Sequence, residues 1–363
     1  MTDHLAVSTI LTPLAAQLTT GSNKPQLMEF RGFITPQQLD APALETAALA
    51  KGAAAHDLGW MRRVTVRGED STRWLSGMVT NTVKDIPENG GAWNLVLNAQ
   101  GRIQGDLTVW RDGDSLELEI AADQYDKLMA HFDHFIIMDD VELVGHDVSA
   151  ETVLGLTGPK ATEVLSRMGL PAPSEPMTTL RSEWNGFDLT IRRSFGTLAQ
   201  HFEIHTPIAG LGLLWRALST AGATPVGAAS LDAFRIAEGI PTYGVDIAER
   251  DLPQETSQTR ALHFDKGCYL GQEIVERIRS RGNVHRHLRQ LEIDGPLPAS
   301  GTELLLDGAS VGQITSAAEL PLSFGPRRFA LAMVRGEAET KNQPLACKDM
   351  PTTGRILAQP PEL

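Results

Sequence analysis

The chain has 363 residues, 42% hydrophobic and 21% charged, with a formal net charge of −13. That length exceeds a usual single core and predicts two or three domains, and the composition is that of a globular protein rather than a disordered or fibrous one. The acidity argues against general nucleic-acid binding, which wants a basic face, so nucleic acid is not an expected partner.

Met1 to Leu18 lack the positively charged start and long apolar stretch of a secretory signal. No apolar run approaches the roughly 20 residues of a spanning helix. A cytoplasmic protein without membrane contact is expected. Residues 1 to about 50 show weak periodicity and predict only a short helix near Ala43–Ala50, with no chemistry. Arg63-Val-Thr-Val-Arg67 alternates as a strand, and Ser71–Val79 reads as a helix with Trp74, Leu75 and Met78 on one face. Strands follow at Gly91–Asn98, Arg102–Trp110 and Ser115–Ala121, the first two joined by Asn98-Ala-Gln-Gly101. Tyr125–Met138 is amphipathic, with Leu128, Met129, Phe132, Phe135 and Ile136 on one side. Val153–Gly158 is a strand and turn, and Pro159–Met168 a helix opened by proline. Two more strands (Phe187–Arg193, Ala199–His205) precede helices over Leu211–Ala221 and Ser230–Glu238. Short strands at Arg289–Ile293, Glu303–Leu306, Ala309–Thr315 and Phe329–Val334, separated by Gly and Pro, predict a small barrel. Hairpins interspersed with single helices predict an antiparallel α+β arrangement.

The stretch Lys266-Gly-Cys-Tyr-Leu-Gly-Gln-Glu273 carries the most chemistry. The chain has two cysteines, Cys268 and Cys347, far apart in sequence. They make neither a CxxC pair nor a disulfide framework, so the chain alone supplies no four-thiolate cluster or zinc site. Cys268 sits between Gly267 and Gly271, beside Lys266 and ahead of a helix beginning near Gln272, with Ile274 and Ile278 on one face. A helix N-terminus and a lysine favour the thiolate. A small hydrophobe in a tight turn is the alternative reading. His201-Phe-Glu-Ile-His205 puts His201, Glu203 and His205 on one strand face, which reads as an exposed polar face before it reads as a metal site, and no metal is expected. Between Arg277 and Arg289 five arginines (277, 279, 281, 286, 289) and two histidines (285, 287) occur without an acidic residue. This local inversion of charge is either a solvated helix end or an anion site.

The Lys266–Glu273 motif, continuing into Arg281-Gly282, resembles the signature of the YgfZ group of folate-binding proteins. These are related to the T-protein, the aminomethyltransferase of the glycine cleavage system. Supporting matches are Trp74–Asn81, Leu97–Arg102, Leu156–Pro159, Leu231–Arg235 through Pro241, Tyr243–Asp246 and Leu252–Glu255. The resemblance spans about residues 55 to 335, and the first 50 and last 25 residues add nothing to it. It implies a GcvT-like fold of three subdomains around a folate-sized opening, ending in a small β-barrel. The chain divides accordingly into an N-terminal segment (1–50), a first α+β subdomain (51–150), a second (151–285) and the barrel (286–363), not strictly contiguous in sequence.

By the same resemblance Asp106, Glu203 and Arg235 meet a tetrahydrofolate, with Trp93 and Met78 as walls. A carboxylate reads the donor–acceptor edge of a pterin, and flat or soft side chains suit its face. Two positions depart from the T-protein. Gly105 replaces the first of its paired aspartates, and Cys268 stands where it has an aspartate. Both point away from aminomethyl transfer and toward the role of the YgfZ group, folate-dependent support of iron–sulfur cluster assembly or repair, with iron–sulfur enzymes or assembly proteins as partners. Cys268 and Lys266 are then the reactive residues, and Tyr269, Gln272 and Glu273 complete the motif. The alternative is a folate-dependent one-carbon transferase.

Overall fold

A computed structural model describes residues 10–21, 24–282, 284–341 and 343–363. The first nine residues, part of the leader reading, and the side chain of Arg281 lie outside this description. The described chain forms two large sheets, a small N-terminal sheet and a closed barrel. Among the described residues no helix is long and apolar enough to cross a membrane.

The first large sheet is wholly antiparallel, in the order Gly91–Leu97, Ile103–Asp112, Ser115–Ala121, Met61–Arg67, Glu142–Gly145. Its core gathers Val64, Val66, Leu75, Val96, Leu107, Leu118 and Phe132. The helix over its face, Ala122–His134, ends four residues earlier than the apolar pattern predicts. Phe135 N–H turns back to Phe132 O, and Phe135 O accepts from Trp74 Nε1 at 3.2 Å, so the chain leaves the helix there. Ile137 and Met138 are left exposed, at 81% and 93%.

The second large sheet runs Thr178–Trp184, Phe187–Ser194, His201–Pro207, Glu151–Thr157, Ala54–Asp57, Thr224–Val226. Its fifth strand lies in the chain ahead of the whole first sheet, so this layer is assembled from separated segments. The barrel closes through Arg286–Asp294, Gly325–Arg335, Ala309–Leu322, Glu303–Leu306, Leu345–Cys347 and Thr353–Ile356. Cys347 is buried in its core.

The N-terminal segment has more structure than its sequence suggested. Beside the helix Pro42–Lys51, strands Gln26–Phe30 and Phe33–Gln38 form a hairpin whose turn holds Arg31 at φ 54°. Asp57 fastens this layer to the second sheet by accepting the hydroxyls of Thr12 and Thr35. Burial raises the Asp57 carboxyl above its ordinary range, against those hydrogen bonds.

One close approach places the cysteine turn. Gly271, at φ +81°, lies so near the Asn98–Gly101 turn that an added Cβ would sit 2.6 Å from Asn98 O. Gly101 in turn leaves no room for a Cβ against Ile274, at 2.8 Å. Gly271→Ala should therefore cost about 1–3 kcal/mol from backbone strain alone, with the clash added. Gly113→Ala is the control, because Gly113 also has positive φ but nothing lies within 4 Å of its added Cβ. Urea unfolding should show the larger loss for Gly271→Ala, and equal losses would mean that the approach is not tight.

Candidate functional site

A cavity of about 230 Å³ opens where the N-terminal hairpin, both large sheets and the helix Ala228–Ala237 meet. Asp106, Glu203 and Arg235, which lie far apart in the chain, all line it. Aromatic wall is supplied by Phe30, Trp60 and Phe195, the first two edge to face at 5.7 Å.

Asp106 is half-buried and held from both sides. Trp93 Nε1 donates to its Oδ2 at 3.0 Å and Gln124 Nε2 to its Oδ1 at 2.8 Å, while Gln124 Oε1 accepts the Asp106 backbone N–H. Gly105 makes this possible, since an added Cβ would lie 2.8 Å from Gln124 Oε1 and 2.9 Å from Leu128. A second aspartate there would displace the glutamine that orients the first. Trp93 thus serves as a hydrogen-bond donor to Asp106 and is not itself a lining residue. Met78 does not reach the cavity: it is buried in the core of the first sheet, because the helix Ser71–Met78 turns that face inward.

Arg235 is anchored by Asp232 at 2.7 Å and Asp246 at 2.5 Å. Burial opposes its charge, and Asp246 and Asp232 outweigh burial, so the guanidinium is held even more firmly protonated. Asp246 also accepts the hydroxyls of Thr315 and Ser316, both at 2.6 Å, which ties the cavity wall to the barrel.

Glu203 is buried, and its Oε2 has no hydrogen-bond partner among the described residues. Behind it Arg192 spans Glu117 and Glu119, the latter at 2.8 Å. Burial alone would raise Glu117, but Arg192 and Arg63 hold its carboxyl down at about 2. Atoms of Glu119, Glu203 and His205 come within 4.8 Å of one another, the spacing of a metal ligand set. The Glu119 oxygen nearest His205 already carries the Arg192 guanidinium, whose charge opposes a cation there. His201, expected on the same face, leaves this group. Its Nε2 lies 2.8 Å from Glu238 Oε2, and its Nδ1 is 3.1 Å from the Thr157 hydroxyl, which also meets His56. His56, Thr157, His201 and Glu238 line the cavity as well. His201 belongs to the strand face expected to be exposed and Thr157 falls inside a family match, while nothing in the sequence singles out His56 or Glu238. Burial, with His201 beside it, lowers His56 to about 3 and keeps it neutral.

The cysteine turn lies elsewhere. Cys268 is exposed and does not line the cavity. Lys266, expected to act on the thiol, instead donates to the carbonyls of Ser76 and Val79 (2.7 Å to the latter) at the end of the helix Ser71–Met78. Burial, then Lys84, lowers its ammonium to about 8. Gly267, at φ +96°, makes the turn, Tyr269 is buried, Glu273 is exposed, and Gln272 Oε1 accepts the Tyr269 N–H at 3.1 Å. The arginine run divides. Arg286 pairs with Asp251 and Glu255 and Arg289 with Glu339, so these two fasten the barrel, whereas Arg277 and Arg279 are exposed on the helix Gln272–Arg281.

Burial, followed by Glu119, pushes the Glu203 carboxyl well above its ordinary value of 4.5, so the folded protein keeps a proton that the unfolded chain releases. The stability contributed is full below that ordinary value and declines as pH rises through the raised one. Glu203→Gln stays neutral at every pH. In thermal melts from about pH 4 to about pH 9 the wild type should lose ground to this variant as pH rises. A difference that does not change with pH would show that Glu203 is ionised in the folded state.

Comparison with known proteins joins these observations to a family. The GCVT N-terminal domain matches residues 19–266 and the CAF17 C-terminal β-barrel domain residues 285–362. The likeness therefore extends beyond the expected span of about 55 to 335 at both ends. The aminomethyltransferase of Rubrobacter xylanophilus is 27% identical over 339 residues, covering 92% of this chain and 90% of that protein. The aminomethyltransferase of Chlorobium chlorochromatii is 27% identical over 310 residues, covering 82% and 83%. The glycine cleavage system aminomethyltransferase T from Bartonella henselae shares the fold with a TM-score of 0.85 over 98% of both chains, at 20% identity. The α+β GcvT-like architecture with a C-terminal barrel is thus the one found. Because the first match takes in well over half of the chain, the protein belongs to the family of the GCVT N-terminal domain, here joined to a CAF17-type C-terminal β-barrel.

Proposed function

We propose that the chain binds a tetrahydrofolate in its central cavity and acts as an accessory protein for iron–sulfur enzymes, as in the YgfZ group, with Cys268 as the working thiol. The observation that carries this reading is the separation of two features. A carboxylate-bearing cavity gathers Asp106, Glu203 and Arg235, while the thiol stands exposed outside it. A thiol placed to attack a one-carbon unit on bound folate would have to open onto that cavity. One that serves a second protein, as a cluster ligand or a redox partner, has to face outward. The CAF17-type barrel and the Lys266–Glu273 motif support the same reading.

Asp106 and Glu203 divide the recognition chemistry. Asp106, fixed by Trp93 and Gln124, presents acceptor lone pairs to the N–H edge of a pterin, and Glu203, whose burial favours the protonated form, can in that form supply both a donor and an acceptor. The curated relatives named aminomethyltransferase favour the second reading, a folate-dependent one-carbon transferase. Against it stand Gly105 in place of the first of two aspartates and Cys268 in place of another.

Losing a charge-assisted hydrogen bond to the ligand should weaken tetrahydrofolate binding by about 10- to 100-fold in Asp106→Asn. Isothermal titration measures this, and unchanged affinity would remove the cavity from the proposal. Cys268→Ala should keep folding and tetrahydrofolate affinity while losing support of an iron–sulfur enzyme's activity in cells that lack the wild-type protein. Full support by that variant would overturn the accessory role of the thiol. Turnover of methylene-tetrahydrofolate by the purified protein, lost in Asp106→Asn, would decide for the transferase.

A further inference from the structure

Arg260 stands out among the described arginines. Its guanidinium lies between two aromatic rings, 4.1 Å from the centroid of Trp93 and 4.1 Å from that of Phe195. Its Nε donates to Gln258 Oε1 at 3.2 Å, and among the described residues no carboxylate is in ion-pair contact with it. The other arginines at the cavity are neutralised: Arg31 by Asp123 at 3.4 Å, Arg235 by Asp232 and Asp246. A guanidinium withdrawn from water without an anion is costly, and its planar fork is suited to a carboxylate.

Arg260 is not itself a lining residue, but its neighbours place it directly behind the cavity wall. Phe195, one of the two rings at the guanidinium, lines the cavity, and Trp93, the other, holds Asp106, which lines it too. The backbone is fixed as well, since Asn81 Nδ2 donates to both Trp93 O at 3.0 Å and Arg260 O at 2.8 Å. Burial lowers the guanidinium to about 10 even though Asp106 and Glu238 act to raise it, so the carboxylates of the cavity wall do not make up for its lost hydration. The hollow adjoining the cavity on the barrel side carries Glu29, Asp123 and Asp232 against Arg31 and Arg235, and both of these arginines are already paired with carboxylates, so it favours an anion less than Arg260 does.

We propose that Arg260, clamped between Trp93 and Phe195, is the subsite that receives the carboxylates of the ligand's glutamate tail. The inference rests on the folate reading of the cavity and adds to it a direction for the bound molecule. The pterin lies toward Asp106 and Glu203, and the anionic tail leaves past Phe195 rather than into the acidic hollow beside the barrel.

The test compares tetrahydrofolate with tetrahydropteroate, which lacks the glutamate, by titration on the full-length protein near pH 7. Wild type should bind tetrahydrofolate about tenfold or more tightly than tetrahydropteroate, the size of a charge-assisted contact. In Arg260→Gln that ratio should fall to about one, and Arg260→Lys, which keeps the charge without the stacked plane, should restore part of it. The lysine variant also carries the test if the glutamine variant does not fold. A ratio that persists in the variants, or a wild-type ratio near one, overturns the subsite while leaving the cavity reading intact. Binding of neither compound to the wild type overturns the folate reading and the subsite together.

Discussion

The structure depends on a layer of charge buried between its two large sheets. Glu117 and Glu119 project from the Ser115–Ala121 strand of the first sheet, and Arg192 from the Phe187–Ser194 strand of the second bridges both. Arg63 and Glu151 extend the network toward the surface, at 2.7 Å from each other. A paired charge in such a place contributes little net stability, but removing one partner is costly, so the pairing fixes how the sheets register. Glu203 lies at the cavity end of this layer. Its raised proton affinity follows from that position: burial and then Glu119 raise it, and Arg192, committed to Glu117 and Glu119, offsets them only in part. The cavity's chemistry is in this sense set by what holds the sheets together.

Much of this was legible from local pattern. Elements with clean periodicity, such as Ser71–Met78, Ser115–Ala121 and the barrel strand Glu303–Leu306, fall within a residue of their predicted bounds. The barrel strand predicted to end at Thr315 instead runs on to Leu322, and the sequence pattern does not mark the strands Leu345–Cys347 and Thr353–Ile356. The family signature led to Asp106, Glu203 and Arg235, which converge on one cavity. The failures have a common cause, since adjacency in sequence is not adjacency in space. Lys266 is two residues from Cys268, yet Gly267 turns the chain between them and the lysine side chain reaches the end of another helix. Met78 has the right chemistry for a wall but sits on the core side of its helix. His56, Thr157, His201 and Glu238 come from four separate segments, and each alone reads as an ordinary polar residue. The N-terminal hairpin brings Phe30 and Arg31 to the cavity through a positive-φ turn that no periodicity marks.

The stretch from Arg260 to Gly271 connects the two features of the molecule. At one end Arg260 stacks on a cavity residue. At the other Gly271 packs against the Asn98–Gly101 turn, and Cys268 stands exposed between them. The helix Ser71–Met78 and the residues just after it pin this stretch at several points. Thr80 Oγ donates to Ala261 O at 2.6 Å, His263 N–H to Thr80 O, Asn81 to Arg260 O, and Lys266 to Ser76 O and Val79 O. The position of the thiol is therefore fixed by the first sheet and its helix rather than by the second.

That arrangement makes Trp93 the contact common to the cavity wall and the cysteine stretch. Trp93 touches both sides: its indole N–H holds Asp106 at the cavity, its ring stacks on Arg260, and its carbonyl shares the Asn81 amide with Arg260 O. A ligand that draws on Asp106 acts on the same tryptophan that positions the start of the cysteine stretch. The path from Asp106 through Trp93 to Arg260 is short and made of direct contacts. Coupling by this route requires only that Trp93 and Arg260 have two arrangements differing in energy by an amount ligand contacts can supply. The stacking of Trp93 on Arg260, and the Asn81 amide shared by their two carbonyls, hold both residues in the one arrangement seen here.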